Sequence, residues 1–356
     1  MKKTNYNLQN YDTFMGIDVD SKSYAFTVAD HKNIQKSKKI PADSQMLVQY
    51  IQKHFPTNRV LCAFEAGGTG FELFDTLEFN NISCWVVSPN AIAKPANAMV
   101  KNNRIDSKLI AQTIKTGNVN PIRVPSQVFR ELRHLVRIYD NYSQIQSISK
   151  QRIKALLLFE SLHKTFVFSN TRWTRQFLLE LKQCPCSVAA RSRLDALLDD
   201  LTYARLHLAK SLRAIKQFCY QCNEIKEYIN YLISIPGVGI RTASYILAKI
   251  GDPSLLRSPR ELGSFFGLTP KENSTGDKIY KGSISHAGTA IGRSLLIEAA
   301  WIAIRYDKEL RQFYDRIKSR NPKQSAAKKA IVAVARKLTA RIYAVLKNKK
   351  EYVVIH

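Results

Sequence analysis

TFMGIDVDSKSYAFTVA, residues Thr13 to Ala29, sets the fold class of the first part of the chain. Thr13 to Val19 and Tyr24 to Ala29 each alternate with the two-residue period of a strand. Asp20-Ser21-Lys22 between them is turn material, so the stretch predicts a β-hairpin. Working outward, Ile34 to Ile40 predicts a third strand. Ser44 to Phe55 predicts a helix with Met46, Leu47, Tyr50 and Ile51 on one face. The apolar run RVLCAFEA, Arg59 to Ala66, predicts a buried strand ended by Gly67, Gly68 and Gly70. A helix over Phe71 to Phe79, a strand over Ser83 to Ser88 and a helix over Asp106 to Thr116, carrying Leu109, Ile110 and Ile114, follow. A strand hairpin followed by alternating helix and strand is a mixed α/β sheet, expected over residues 1–122.

From Ser126 to about Leu162 there is no Pro or Gly, and apolar residues recur every three or four positions from Val128 through Ile148, the spacing of a long helix. Ser187 to about Ile229 is a second such stretch, with Leu194, Leu197, Leu198 and Leu201. The two form a helical connector over 123–229, read either as an antiparallel hairpin within one chain or as a coiled-coil device for assembly. Past Ile229, Gly, Pro and Ser return and mark a mainly α third unit, 230–356. It opens with LISIPGVGIRTASYILAKI, Leu232 to Ile250, a helix, tight turn and helix in the manner of a helix-hairpin-helix. Gly237 and Gly239 would let backbone N–H groups approach a phosphate, with Arg241 and the next helix N-terminus beside them. The same pattern also serves as a plain interhelical turn. The last segment, Pro322 to Lys350, predicts a basic amphipathic helix with Ala330, Ile331, Val334, Leu338 and Ile342 on its apolar stripe.

The chain's excess of positive charge, 55 Lys plus Arg against 28 Asp plus Glu over 356 residues for a net +27, points to a polyanionic partner. No apolar run reaches the roughly 18 residues of a membrane span, so the expected compartment is the cytoplasm, at the nucleoid, with no membrane partner. The six cysteines are then expected reduced. Cys184-Pro-Cys186 and Cys219-Tyr-Gln-Cys222 read either as zinc ligands or as packed thiols. GLTPKENSTGDKIYKGSISHAG, Gly267 to Gly288, sets Ser274 in a glycine-punctuated loop between two predicted helices. A serine hydroxyl attacks phosphorus only where cations neutralise the developing charge, and Lys271, Lys278, Lys281 and Arg293 are candidates. The alternative is an ordinary polar hairpin. In the first unit Asp18 and Glu65 end strands and Asp106 starts a helix. Converging at one sheet edge they would suit Mg²⁺; apart, they are solvated strand ends.

Together these residues resemble the DEDD-type transposases of the insertion-sequence-110 family and the related Piv invertases, over nearly the whole chain. GIDVDSK with Asp18, FEAGG with Glu65 and VKNNRIDSKLIA with Asp106 match the acidic motifs. IPGVGIRTA, LGSFFGLTP, NSTGDK, GSISHAG and IGRSLLIEAA follow the terminal transposase domain in order, with Ser274 at the nucleophile's place. The resemblance implies an RNase H-like, RuvC-like N-terminal domain, a coiled-coil connector and a C-terminal domain bearing a catalytic serine. It further implies DNA cut and rejoined through a serine–DNA bond, an acidic cluster with Mg²⁺ contributed by a partner subunit of a homo-oligomer, and, in some members, a noncoding bridge RNA that pairs with the DNA. The third motif departs from the family: Asn103 stands where an Asp is usual, so the metal set becomes Asp18, Glu65, Asn103 and Asp106. Ser274-Thr275-Gly276 replaces the usual Ser-Ser-Gly, and His286 stands where relatives favour a basic residue. Two alternatives follow, a catalytically impaired nucleic-acid-binding descendant and a RuvC-like junction nuclease working by water attack.

Overall fold

Residue 16 has to be glycine, and the reason organises the first unit. In the computed structural model, which describes residues 8–31, 34–57, 59–92, 103–117, 119–169, 171–275, 278–285, 288–320 and 325–354, a Cβ at Gly16 would stand 2.2 Å from the Ser107 carbonyl oxygen and 2.3 Å from the Ala111 nitrogen. A helix therefore lies directly on the middle of the first strand. The chain divides into two compact units, Met1–Val124 and Pro125–His356.

Unit 1 runs β1 (Thr13–Val19), β2 (Ser23–Asp30), β3 (Ile34–Pro41), α1 (Ser44–His54), β4 (Val60–Glu65), α2 (Glu72–Phe79), β5 (Ser83–Val87) and α3 (Asn103–Lys115). The five strands form one sheet in the order β3-β2-β1-β4-β5. The pairs β1–β2 and β2–β3 are antiparallel, while β1–β4 and β4–β5 are parallel. This is the mixed sheet that the alternating pattern predicts. Strand alternation sorts the apolar residues to two faces. Met15, Ile17, Phe26, Cys62 and Phe64 pack with Leu47, Ile51 and Leu77 of α1 and α2. Phe14, Leu61 and Ala63 pack with Ile110, Ala111 and Ile114 of α3. Phe14, Phe26 and Phe64 are fully buried, each worth about 2–3 kcal/mol of transfer free energy. Asp43 starts α1 by accepting the amides of Gln45 and Met46 at 2.8 and 3.1 Å, a cap worth about 1 kcal/mol. Ser107 bonds Thr27 at 2.8 Å across the α3–sheet seam, satisfying two hydroxyls that burial would otherwise penalise.

Unit 2 holds α4 (Gln127–Phe159), α5 (Leu162–Thr165), α6 (Arg175–Gln183), α7 (Val188–Gln221), α8 (Asn223–Ile233), α9 (Ile240–Ile250), α10 (Pro259–Phe265), β6 (Pro270–Thr275), β7 (Lys278–Ile284), α11 (Ala290–Tyr306), α12 (Lys308–Ser319) and α13 (Ala326–Asn348). The long helices α4 and α7 pair antiparallel within the chain. Phe129, Leu132 and Val136 share a core with Ile215 and Cys219, while Ile153, Leu156 and Leu157 share another with Leu194, Leu197, Leu198 and Leu201. Between these ends Tyr142 stacks on His207 at 4.7 Å. The second uninterrupted stretch is two helices, because Cys222 takes an extended conformation that ends α7 and starts α8. α8 to α13 close around one apolar core that includes the expected stripe of α13, Ala330, Ile331, Val334, Leu338 and Ile342. Its far end is tied by Asp307, which caps α12 through the Leu310 amide at 2.9 Å, pairs with Arg341 at 3.5 Å and accepts the Tyr352 hydroxyl.

The zinc alternative fails on distance. All six cysteines are free, and Cys184 precedes the 34-residue α7 while Cys219 lies in its last turn, a separation of about 50 Å at 1.5 Å per residue. No four-thiolate site can form from the two pairs. The Cys219 thiol lies in the main core, and burial pushes its pKa up to about 12, as for a packed hydrophobe. Among the described residues no helix is long and apolar enough to cross a membrane.

Candidate functional site

Two places on the chain hold the chemistry that the sequence singles out, one in each unit. In unit 1, Ile17 and Phe64 are partners in the parallel β1–β4 ladder, so the residues after them, Asp18 and Glu65, finish neighbouring strands. Alternation turns both toward the face that α3 covers, the side of Gly16 and Ala63. α3 runs opposite to β1: Ser107 covers Gly16 while Ile114 packs in the cluster of Phe14 near the strand's start. Its first turn, with a half-buried Asp106, is thereby carried to the strand ends. The fold thus assigns Asp18, Glu65 and Asp106 to one sheet edge. α3 starts at Asn103, whose side chain lies outside the described residues, as do residues 100–102 of the same motif.

A shared edge is not yet a metal site. Carboxylate oxygens are the donors that Mg²⁺ prefers, but among the described residues no group of three or more His, Cys, Asp or Glu side chains could hold a metal ion. Among the described residues the carboxylates as folded do not fit the expected cation, and an amide at position 103 brings no charge. Asp20 does not compensate. β1 ends at Val19, and the Asp20 carboxylate is exposed and accepts the Ser21 hydroxyl at 3.1 Å, which holds its pKa below the ordinary carboxylate value. A cavity of about 490 Å³ in the same unit, lined by Tyr11, Ile51, Phe55, Arg59 and Ser83, lies where β4 and β5 begin, the sheet edge opposite the acids.

In unit 2 the segment read as a loop or, alternatively, a polar hairpin is a β-hairpin. β6 and β7 are antiparallel, with Ser274 opposite Ile279, Thr275 opposite Lys278 and a register shift between Pro270 and Glu272. Ser274 therefore sits one residue before the end of its strand. The side chains of Lys271, Ser274, Lys278 and Lys281, with Gly276, Asp277 and His286, lie outside the described residues. The two strands pair chiefly with each other. The hairpin is fastened at its base. Ser285 donates to the Thr269 carbonyl at 2.8 Å, and a Cβ at Gly288 would stand 2.2 Å from the Phe265 carbonyl oxygen. Arg293, a candidate phosphate contact, donates to the Gly288 carbonyl at 2.6 Å. Thr289 caps α11 through the Gly292 amide at 3.3 Å and bonds the buried Tyr245 hydroxyl at 2.7 Å. Sequence reasoning missed Tyr245, since an apolar stripe hides a tyrosine whose hydroxyl matters; the paired glycines of the 282–288 motif were the available signal for the close approach.

The turn between α8 and α9 separates its two glycines. Gly237 has φ +88, and its missing Cβ leaves room for the Ala299 carbonyl oxygen of α11, 2.3 Å from where that atom would be. It is a packing glycine. Gly239 faces open space and caps α9 without a side-chain hydrogen bond. Arg241 lies over the Tyr139 ring at 4.8 Å, with Asp140 close enough to be acted on by its charge.

Two family models match the chain. One, described as transposase and named for the DEDD type and insertion sequence IS110, covers residues 15–160 and all three acids. The other, described as transposase IS116/IS110/IS902 family, covers residues 229–315 and the serine hairpin. The chain is 25% identical to the pilin gene-inverting protein of Moraxella bovis over 351 residues, 96% of this chain and 97% of that one. It is 25% identical over 300 residues to the transposase for insertion sequence element IS1111A of Coxiella burnetii, covering 81% of this chain and 78% of the relative. The pilin gene-inverting protein of Moraxella lacunata is 31% identical over 153 residues, 41% of this chain and 46% of that protein. With one model on the acidic edge, the other on the serine hairpin, and relatives spanning both, the chain belongs to the IS110 family of transposases.

Proposed function

We propose that this transposase cuts and rejoins DNA through a covalent bond between Ser274 and the strand. One observation carries the reading: Ser274 sits one residue before the end of its strand in a two-stranded hairpin, inside the residues that match the terminal transposase model. A nucleophile that must meet a strand held elsewhere needs such presentation. In the proposed step the Ser274 hydroxyl oxygen bonds to phosphorus, its proton passes to a base, and the bond from phosphorus to the departing strand oxygen breaks with that oxygen protonated. A hydroxyl from the new partner strand then attacks the phosphoserine, restoring the serine and the phosphodiester. One ester is exchanged for another at each stage, so no ATP is needed. The lysines at 271, 278 and 281 are proposed to neutralise the phosphate, with the open turn at Gly239 holding backbone nearby.

Unit 1 is proposed as RNase H-like, a reading supported by its three antiparallel strands continued by two parallel ones. Its acids are proposed to serve the serine of another copy in a homo-oligomer, with the α4–α7 pair as coiled-coil connector. Because no three-donor group is formed among the described residues, no step is routed through a metal. A noncoding RNA that pairs with both DNAs would supply sequence reading, leaving the protein's unspecific positive charge to hold backbones.

The deciding experiment mixes full-length protein with labelled element ends and denatures the mixture. A DNA adduct that survives, and that Ser274→Ala loses while still binding DNA, is the expected result. Wild type that leaves free ends and no adduct would select water attack, as in a junction nuclease. Asn103 favours one further reading, a binding-only descendant, which an inert wild type that gains strand exchange on Asn103→Asp would establish.

A further inference from the structure

The first three turns of α4 collect cations that the serine hairpin does not use. Arg130, Arg133 and Arg137 fall at intervals of three and four, so they share one helical face about 10 Å long. α9 lies against this helix running the opposite way. Arg133 donates through Nε to the Ala248 carbonyl and at 3.2 Å to the Lys249 carbonyl, closing the C-terminal turn of α9. That contact sets Lys249, which lies over the Tyr245 ring at 5.4 Å, beside Arg133 and Arg137. The cations repel one another: burial lowers the Arg133 pKa, and Arg137 and Arg130 lower it further. Lys249 is lowered by burial and by Arg137 and Arg133, while Asp140 works the other way. Asp140 is itself half-buried, and burial raises its pKa against the pull of Arg241 and Lys249. Folding has gathered positive charge here at an electrostatic cost, with Arg137 exposed at its outer edge.

We propose that the α4–α9 face around Arg133, Arg137 and Lys249 is a clamp for the phosphate backbone of duplex DNA, separate from the serine hairpin. The proposal rests on the transposase reading for its choice of duplex DNA as the occupant. Arg133 is the positioning residue, already committed to the α9 carbonyls, and Arg137 and Lys249 are the two that meet phosphates. A solvated charged face would spread its cations and intersperse carboxylates; this one crowds four basic side chains against one acid, and phosphates would relieve the repulsion. The contact carries no base information, because guanidinium and ammonium groups along a helix face read the backbone alone.

The test is the salt dependence of binding by the full chain to a short DNA duplex of arbitrary sequence. Each phosphate contact contributes about 0.9 to the slope of log K against log salt. Arg137→Ala with Lys249→Ala is expected to lower the slope by about 2, and Arg137→Lys with Lys249→Arg to restore it. Lys182→Ala with Arg193→Ala removes two exposed charges at the other end of the long helices and is expected to change the slope little. An unchanged slope in the α4–α9 variant, or an equal fall in the control, overturns the clamp. A slope lowered only with an RNA hairpin as probe overturns the choice of DNA. Adduct formation at Ser274 on element ends, measured with the same proteins, reports on the transposase reading separately.

Discussion

The acidic edge of unit 1 and the serine hairpin of unit 2 are positioned by opposite means. Asp18 and Glu65 end strands buried on both faces, and a helix pressed onto a glycine backbone brings Asp106 to the same edge. Ser274 is placed by a two-stranded ladder, with its anchors at Ser285 and Gly288. Close-packed interiors resist small displacements, whereas a two-stranded ribbon without a packed face is marginal by itself. The acids are thus placed by the packing of unit 1, and the serine by the pairing of two backbones.

The sharpest break in that comparison is Ser274→Ala. It is expected to abolish the DNA adduct entirely while changing unfolding free energy by less than about 0.5 kcal/mol, read by gel after denaturation and by urea titration. Gly16→Ala should do the reverse to unit 1. A Cβ at 2.2 Å from the Ser107 carbonyl oxygen forces α3 off the sheet, and a loss of about 3 kcal/mol is expected in denaturant unfolding, with strand exchange falling as α3 is displaced. Magnesium sharpens the contrast further. Titrating Mg²⁺ into DNA-free protein is expected to give no saturable binding heat, since no three-donor group is formed, and a clear isotherm would show that the acids close up in solution. Tyr245→Phe removes one hydrogen bond to the cap of α11. It should cost about 1 kcal/mol and slow adduct formation more than it weakens DNA binding, because the hairpin's exit is loosened. The smallest effect concerns pH. Lys337 and Arg341 hydrogen-bond Glu309 and hold its pKa below the ordinary 4.5. A depressed carboxylate contributes stability above its unfolded value that is lost as pH falls through the folded one, so the decline belongs below pH 4.5. Glu309→Gln should flatten that acid limb by less than about 1 kcal/mol, the scale of a solvent-screened pair.

The mixed sheet was legible because its strands are long apolar runs with turn residues between them, and period-two alternation maps onto the two packed faces of Phe14, Met15, Gly16 and Ile17. The long helices were legible from spacing. Their antiparallel pairing was one of two readings, since an apolar stripe does not reveal whether its partner belongs to the same chain. The hairpin around Ser274 was one of two readings, loop or polar hairpin, because lysines, glycines and a proline in its sequence carry no clear alternation to decide between them. Gly237 and Gly239 look alike in sequence, and only the packing of α11 at Ala299 shows that the first is structural while the second is open. The acids' shared edge could be anticipated from strand ends, but the closeness that ligation demands depends on side-chain placement, which residue order does not encode.

The antiparallel pairing of α4 and α7 has a geometric corollary. The Ser126 hydroxyl donates to Glu224 at 3.3 Å, so the polypeptide departs from the main core and comes back to it at one doorway. The stretch beyond Tyr139 and before Ile215, past the residues that pack in the main core, is an outrigger whose reach is set by the number of turns. Removing matched turns from both arms would shorten the outrigger while the doorway stays shut, making arm length an independently adjustable dimension of the molecule.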